Sequence, residues 1–137
     1  MTSFPLKIVT PDGLQYEGQA EELIVRTIAG DIGVLAGHTD CVSPLGMGMA
    51  TVVIDGEKKY AACIGGMLSV LKGEVTLIPT TFEWADEINA ERAADSERRA
   101  KETIENRNAS DTELRLAEAR LKRALIRQSV AQYRNVR

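Results

Sequence analysis

The sequence predicts a segregated α+β protein: a mainly β sandwich or flattened barrel, then a C-terminal antiparallel two-helix hairpin. Three observations predict it. All 11 glycines and all 4 prolines lie at or before Pro79, and the 58 residues that follow contain neither. Gly and Pro are the strongest breakers of regular structure, so the chain divides near Pro79 into a turn-rich part and an uninterrupted one. The first part alternates short β-branched runs with turn signals every eight to twelve residues or so, the pattern of an antiparallel sandwich. The second part is rich in Ala, Glu, Arg, Lys and Leu, the best helix formers. The boundaries read from this are 1–84 for the head and 85–137 for the helical arm.

The elements follow in order. Phe4, Leu6 and Ile8 alternate with Pro5, Lys7 and Val9, which predicts a strand with one face inward. Pro11-Asp12-Gly13 is a turn, since Pro sets its own φ and Gly accepts a positive one. A second β-branched run covers Leu23 to Ile28, followed by the glycine-rich stretch Gly30 to Gly37. Met49 to Ile54 meets Asp55-Gly56, the two-residue hairpin signal, and returns as Lys58 to Ile64. Gly65-Gly66 breaks the run, and Met67 to Leu71, Lys72-Gly73 and Glu74 to Ile78 make another hairpin. Roughly seven to ten strands are expected in all, with no helical pattern between them to suggest parallel βαβ units.

Phe82 and Trp84, the single Trp, stand at the junction and are expected to dock the first helix on the sandwich. Asp86 or Asn89 is the expected N-cap of that helix. Ala90, Ala93, Ala94, Ala100 and Ile104 recur near helical spacing. Asn108-Ala109-Ser110 interrupts, and Ser110 with Glu113 forms a capping box that starts a second helix. The apolar stripe of that helix reads Leu114, Ala117, Leu121, Ala124 and Leu125, with Val130 and Tyr133 beyond. Two helices joined by a short connection fold back antiparallel. Their shared faces are mostly Ala, so the backbones approach closely while little apolar area is buried. Such a pair holds by only a few kcal/mol, against ~2 kcal/mol for each fully buried Leu in an ordinary core. A partner that offers a better surface shifts the pair toward an open form.

Charge is divided unevenly. Residues 1–85 carry 5 basic and 10 acidic side chains; residues 86–137 carry 12 and 10. From Ser110 onward there are 7 basic against 3 acidic, so a cationic helix ends an acidic molecule. That favours an acidic partner. Nucleic acid is disfavoured by the acidic head and by the carboxylates interspersed along the first helix. Insertion into a membrane surface is disfavoured by an apolar face made of Ala rather than Trp, Phe or Leu. No apolar run approaches the ~18 residues of a membrane span, and the opening residues have no leader-like pattern. Cys41 and Cys63 are read as reduced, buried apolar side chains of a cytosolic protein. A catalytic relay of His38, Asp40 and Cys41 is rejected, because sequence neighbours rarely converge and no oxyanion site lies nearby.

Four stretches carry a resemblance. They are Val9-Thr10-Pro11-Asp12-Gly13; Gly30-Asp31-Ile32-Gly33-Val34-Leu35-Ala36-Gly37-His38; Gly65-Gly66-Met67-Leu68-Ser69-Val70; and Leu121-Lys122-Arg123-Ala124 with Ser129-Val130. In this order, over nearly the whole chain, they resemble the epsilon subunits of bacterial F-type ATP synthases, with Ala36 where Pro is usual. The resemblance implies a ten-stranded sandwich followed by a helical hairpin. It implies a non-catalytic rotor subunit of the central stalk, with no metal site, that couples proton transport through the membrane c-ring to ATP synthesis. It implies a peripheral location on the cytoplasmic face of the cell membrane. The sandwich would contact the gamma subunit and the c-ring loops, and Asp31 and His38 fall in that contact region; a solvated turn residue and a loop hydrogen bond are the alternative roles for these two. The helices would act as an inhibitor of ATP hydrolysis. In that role Arg115, Arg120, Lys122, Arg123 and Arg127 would meet an acidic segment of the beta (and alpha) subunits, a solvated face being the alternative. Some members bind ATP as a regulatory ligand in the folded hairpin, none being required. The residues that match are Arg92, Arg99, Arg123 and Arg127, while Asn89 stands where that motif has Asp.

Overall fold

The computed structural model describes residues 2–135. It contains ten strands: β1 Phe4–Thr10, β2 Gly13–Ala20, β3 Glu22–Thr27, β4 Gly30–Val34, β5 Cys41–Pro44, β6 Met47–Ile54, β7 Glu57–Ile64, β8 Met67–Leu71, β9 Glu74–Ile78 and β10 Thr81–Trp84. A 3-10 turn, Ala85–Glu87, precedes helices α1 Ala90–Glu105 and α2 Asp111–Ala131, and a second 3-10 turn, Gln132–Asn135, follows. The chain divides into two compact units, Met1–Trp84 and Ala85–Arg137.

In the first unit two five-stranded sheets form a sandwich, with strand orders β2-β1-β9-β8-β5 and β10-β7-β6-β3-β4. Alternation along each strand supplies the core. Phe4, Leu6 and Ile8 of β1, Leu68 and Val70 of β8, and Val75 and Leu77 of β9 face inward from one sheet. Leu23 and Val25 of β3, Val52 of β6 and Cys63 of β7 meet them from the other. The pairing is antiparallel except between β1 and β9, which run parallel with Leu6 opposite Val75. That exception to the expected pattern needs no βαβ unit, because the intervening strands, including β3, β4, β6 and β7 of the second sheet, make the long crossover.

The β6–β7 and β8–β9 hairpins both turn through the left-handed region. Asp55 and Gly56 have φ of 52° and 78°, and Lys72 and Gly73 have 50° and 82°. These are the primed turns whose twist suits paired strands. Each is held by a carboxylate from elsewhere: Gly56 N–H donates to Glu21 at 2.8 Å, and Lys72 N–H to Asp40 Oδ1 at 2.8 Å. Asp40 is therefore a turn anchor. Gly66 has φ of 95°, and a Cβ there would stand 1.9 Å from the Ile78 carbonyl oxygen, so only glycine lets the two backbones cross.

Four strands carried no clear signal in the sequence: β2, β4, β5 and β10. They are the four edges of the two sheets. The junction aromatics pack against the sandwich core: Phe82 is buried in it, and Trp84 lies against it with the two rings edge to face at 4.9 Å.

Candidate functional site

The first candidate surface is built on the β3–β4 hairpin. Thr27 pairs with Gly30, leaving Ile28 and Ala29 at the tip. The buried Thr27 hydroxyl donates to the Gly30 carbonyl at 2.7 Å and accepts from Ala29 N–H, which fixes the turn. Asp31 therefore sits on strand β4, not in a turn, and faces Arg26 across the ladder. Arg26 Nε donates to Asp31 Oδ1 at 2.8 Å, with both side chains about half exposed. The Arg26 stem lies across Gly46 and Gly48, where an added Cβ would stand 3.3 Å and 2.8 Å from it. Two side-chain-free positions thus make the groove that aims Arg26 at Asp31. Exposed ion pairs contribute little to stability, so the pair chiefly fixes orientation.

His38 lies beyond β4, half-buried. Its Nδ1 is 2.7 Å from the Thr39 carbonyl. A carbonyl only accepts, so Nδ1 carries a proton and Nε2 points elsewhere as the second polar atom of the ring. At the tip of the β3–β4 hairpin, the Ile28 N–H donates to the Pro44 carbonyl. Pro44, Met67 and Ile78 form one row across β5, β8 and β9. Ile28, Val42, Met67, Leu71 and Ile78 are all exposed apolar side chains.

The second surface is the hairpin. Asn89 is the N-cap of α1: its Oδ1 accepts from Arg92 N–H at 3.0 Å. Ser110 and Glu113 cap α2 reciprocally, as the spacing requires. Ala93 and Ala100 on α1, and Ala117, Ala124 and Ala131 on α2, are buried. The spacing is seven residues on both helices, the repeat of a close-packed helix pair. Three sequence assignments to this seam are corrected. Ala90, Ala94 and Leu125 are exposed: Ala94 and Leu125 each stand one residue, about 100°, past a seam alanine, and Ala90 is the first residue of α1, three before Ala93.

Polar groups interrupt the alanine seam at one level. Gln128 Nε2 donates to Glu97 Oε1 at 2.7 Å across the pair, and Lys101 Nζ donates to Glu97 Oε2 at 2.6 Å. Lys101 first, and Gln128 second, hold the Glu97 carboxyl below its ordinary pKa.

The basic residues fall into two groups. Arg115, Arg120 and Lys122 are exposed, whereas Arg123 and Arg127 are half-buried beside the seam residues Ala124 and Gln128. On α1, Arg92 is exposed and Arg99 pairs with Asp95 at 3.0 Å; Arg98 also pairs with Asp95. The contact of Glu97 with Gln128 sets the antiparallel level, which brings Arg99 level with Arg127 and puts Arg92 about two turns away. Arg26, Glu97 and Gln128 were missed in the sequence. Arg26 had a signal, an opposite charge five residues on across a tight turn; Glu97 and Gln128, 31 residues apart, had none.

Among the described residues no helix is long and apolar enough to cross a membrane. Residues 3–85 match the family described as ATP synthase, Delta/Epsilon chain, beta-sandwich domain. The ATP synthase epsilon chain of Bacillus velezensis is 39% identical over 131 residues, 96% of this chain and 98% of that one. That of Ruminococcus albus is 38% identical over 132 residues, again 96% and 98%. A chain of the Euglena gracilis mitochondrial ATP synthase (OSCP/F1/c-ring) superposes with a TM-score of 0.83 at 22% identity, covering 94% of this chain and 81% of that one. A chain from the central stalk and c-ring of the Tetrahymena thermophila mitochondrial enzyme gives 0.65 at 11%, covering 93% and 95%. The sandwich thus matches the family's domain, the likeness continues through both helices, and the chain belongs to the ATP synthase epsilon chains.

Proposed function

We propose that this chain is a non-catalytic rotor subunit of the central stalk of an ATP synthase, and that its hairpin restrains ATP hydrolysis. The observation that carries the reading is the match to epsilon chains over 96% of the chain, covering both units. The sandwich is the part that grips gamma and the c-ring loops, with Asp31 oriented by Arg26 and His38 offering Nε2. The exposed apolar row around Pro44, Met67 and Ile78 supplies the area that such a grip needs. The subunit works at the cytoplasmic face of the membrane without entering it.

The inhibitory part of the reading rests on the hairpin. Its seam is alanine, so separating the helices uncovers little apolar surface, and a partner's acidic segment offsets that cost by meeting Arg115, Arg120, Lys122, Arg123 and Arg127. ATP as a ligand of Arg92, Arg99, Arg123 and Arg127 is the weaker part: Asn89 Oδ1 is engaged as a cap, and Arg99 is engaged with Asp95.

The test is ATP hydrolysis by the assembled enzyme with and without residues 86–137. Removal is expected to raise the rate, and Arg123→Glu with Arg127→Glu to raise it part of the way. Unchanged rates reject inhibition. Failure of the chain to co-purify with gamma rejects the stalk assignment.

A further inference from the structure

We propose that Glu97, Gln128 and Lys101 form a polar clasp that fixes the register of the hairpin and sets how readily it opens; this rests on reading the hairpin as an arm that can open. The seam around the clasp is lined by Ala93, Ala100, Ala124 and Ala131, which pack without choosing a partner. Methyl groups repeated every seven residues match equally well after a slip of one heptad. A polar residue at a single seam position is what selects one register of a helix pair. Here Gln128 finds the Glu97 carboxylate at 2.7 Å, and the other carboxylate oxygen takes Lys101 at 2.6 Å. A slip of one heptad would put Gln128 level with Ile104 or Ala90 and leave Glu97 facing Leu121 or outside the pair. The clasp lies eight residues, ~12 Å, before the end of α1, so it acts at a distance from the connection about which the helices separate.

The bond is charge-assisted, and such bonds are stronger than neutral ones. It is also broken whenever the helices part, so it enters the opening equilibrium directly. Lys101 acts on Glu97 from its own helix and Gln128 from the facing one; Glu105 in turn acts on Lys101. Arg127 stands next to Gln128 in sequence.

The test uses the full chain with Cys41→Ser and Cys63→Ala, spin-labelled at the exposed positions 94 and 132. A closed hairpin holds these labels level with each other, whereas a continuous rod separates them by ~57 Å. Gln128→Ala is expected to raise the ratio of long to short distances about three- to tenfold. Gln128→Glu is expected to raise it further near pH 8, where two carboxylates face each other, and to lose the effect near pH 4, where they share a proton. Gln128→Lys is expected to restore the short distance by pairing with Glu97. Helix content is checked by circular dichroism in each variant.

An order of Lys and wild type below Ala, and Ala below Glu, supports the clasp. Identical distributions, or Lys and Glu variants that behave alike, overturn it, because packing alone does not follow the sign of a charge. A series ordered in the free chain but flat in hydrolysis by the assembled enzyme supports the clasp and counts against the inhibitory reading alone.

Discussion

Cys63 shows how much a single side chain reports about the sandwich. It is buried on β7 among the core residues, and burial pushes its thiol up to about 12. An unfolded thiol ionises near 9.0. Below that value both states hold the proton and stability does not depend on this group. Between about 9 and about 12 the unfolded chain gives up the proton while the folded one keeps it, so stability falls as pH rises. Urea titrations from pH 8 to pH 11 are expected to show this loss, and Cys63→Ala to flatten the slope after its own constant cost. Asn89 makes a different point at the same scale. Its Oδ1 does the capping work of the Asp found in the ATP-binding motif, so the helix start survives without the negative charge.

At the scale of elements, the seam sets the distance between α1 and α2. Ala124 is fully buried there, and a larger side chain has nowhere to go without moving a helix. Ala124→Leu is expected to destabilise the closed hairpin by about 1–3 kcal/mol, read as a lower midpoint in the helical melt with the sandwich transition unchanged. Exposed Leu125→Ala, one residue on, is expected to do little. The same scale explains what the sequence made legible. Central strands β1, β3, β6, β7, β8 and β9 are covered on both sides by ladder partners and announce themselves by β-branched runs or by alternation. Edge strands β2, β4, β5 and β10 are polar, glycine-bearing, proline-ended or four residues long, features that keep an edge from pairing with another chain. Both helix caps were legible because capping is local. Arg26 over Gly46 and Gly48, and Gln128 on Glu97, were not, because each depends on elements meeting only after folding.

For the whole molecule, the core cluster of the sandwich is drawn from residues 4–82 alone. The first unit has its own hydrophobic centre and the second has its own alanine seam, so each is a candidate for independent folding. Residues 1–84 alone are expected to retain the β circular dichroism signature and to unfold in urea at a midpoint close to that of the sandwich in the full chain. A chain of this length that unfolded as one unit, with helical and β signals lost together, would show that the arm supports the head. The division bears on the proposed function as well: an arm that opens onto a partner needs a head that stays folded while it does so.

The parallel pairing of β1 with β9 has a consequence for biosynthesis. Leu6 meets Val75, so the first strand emerges from the ribosome some 70 residues ahead of its neighbour. At roughly 5–20 residues per second it waits about 3–14 s with one flank open, held only by its hairpin to β2. Translation therefore finishes most of the head before nascent β1 can be enclosed, and a holding chaperone has its clearest target in Phe4, Leu6 and Ile8 during that interval.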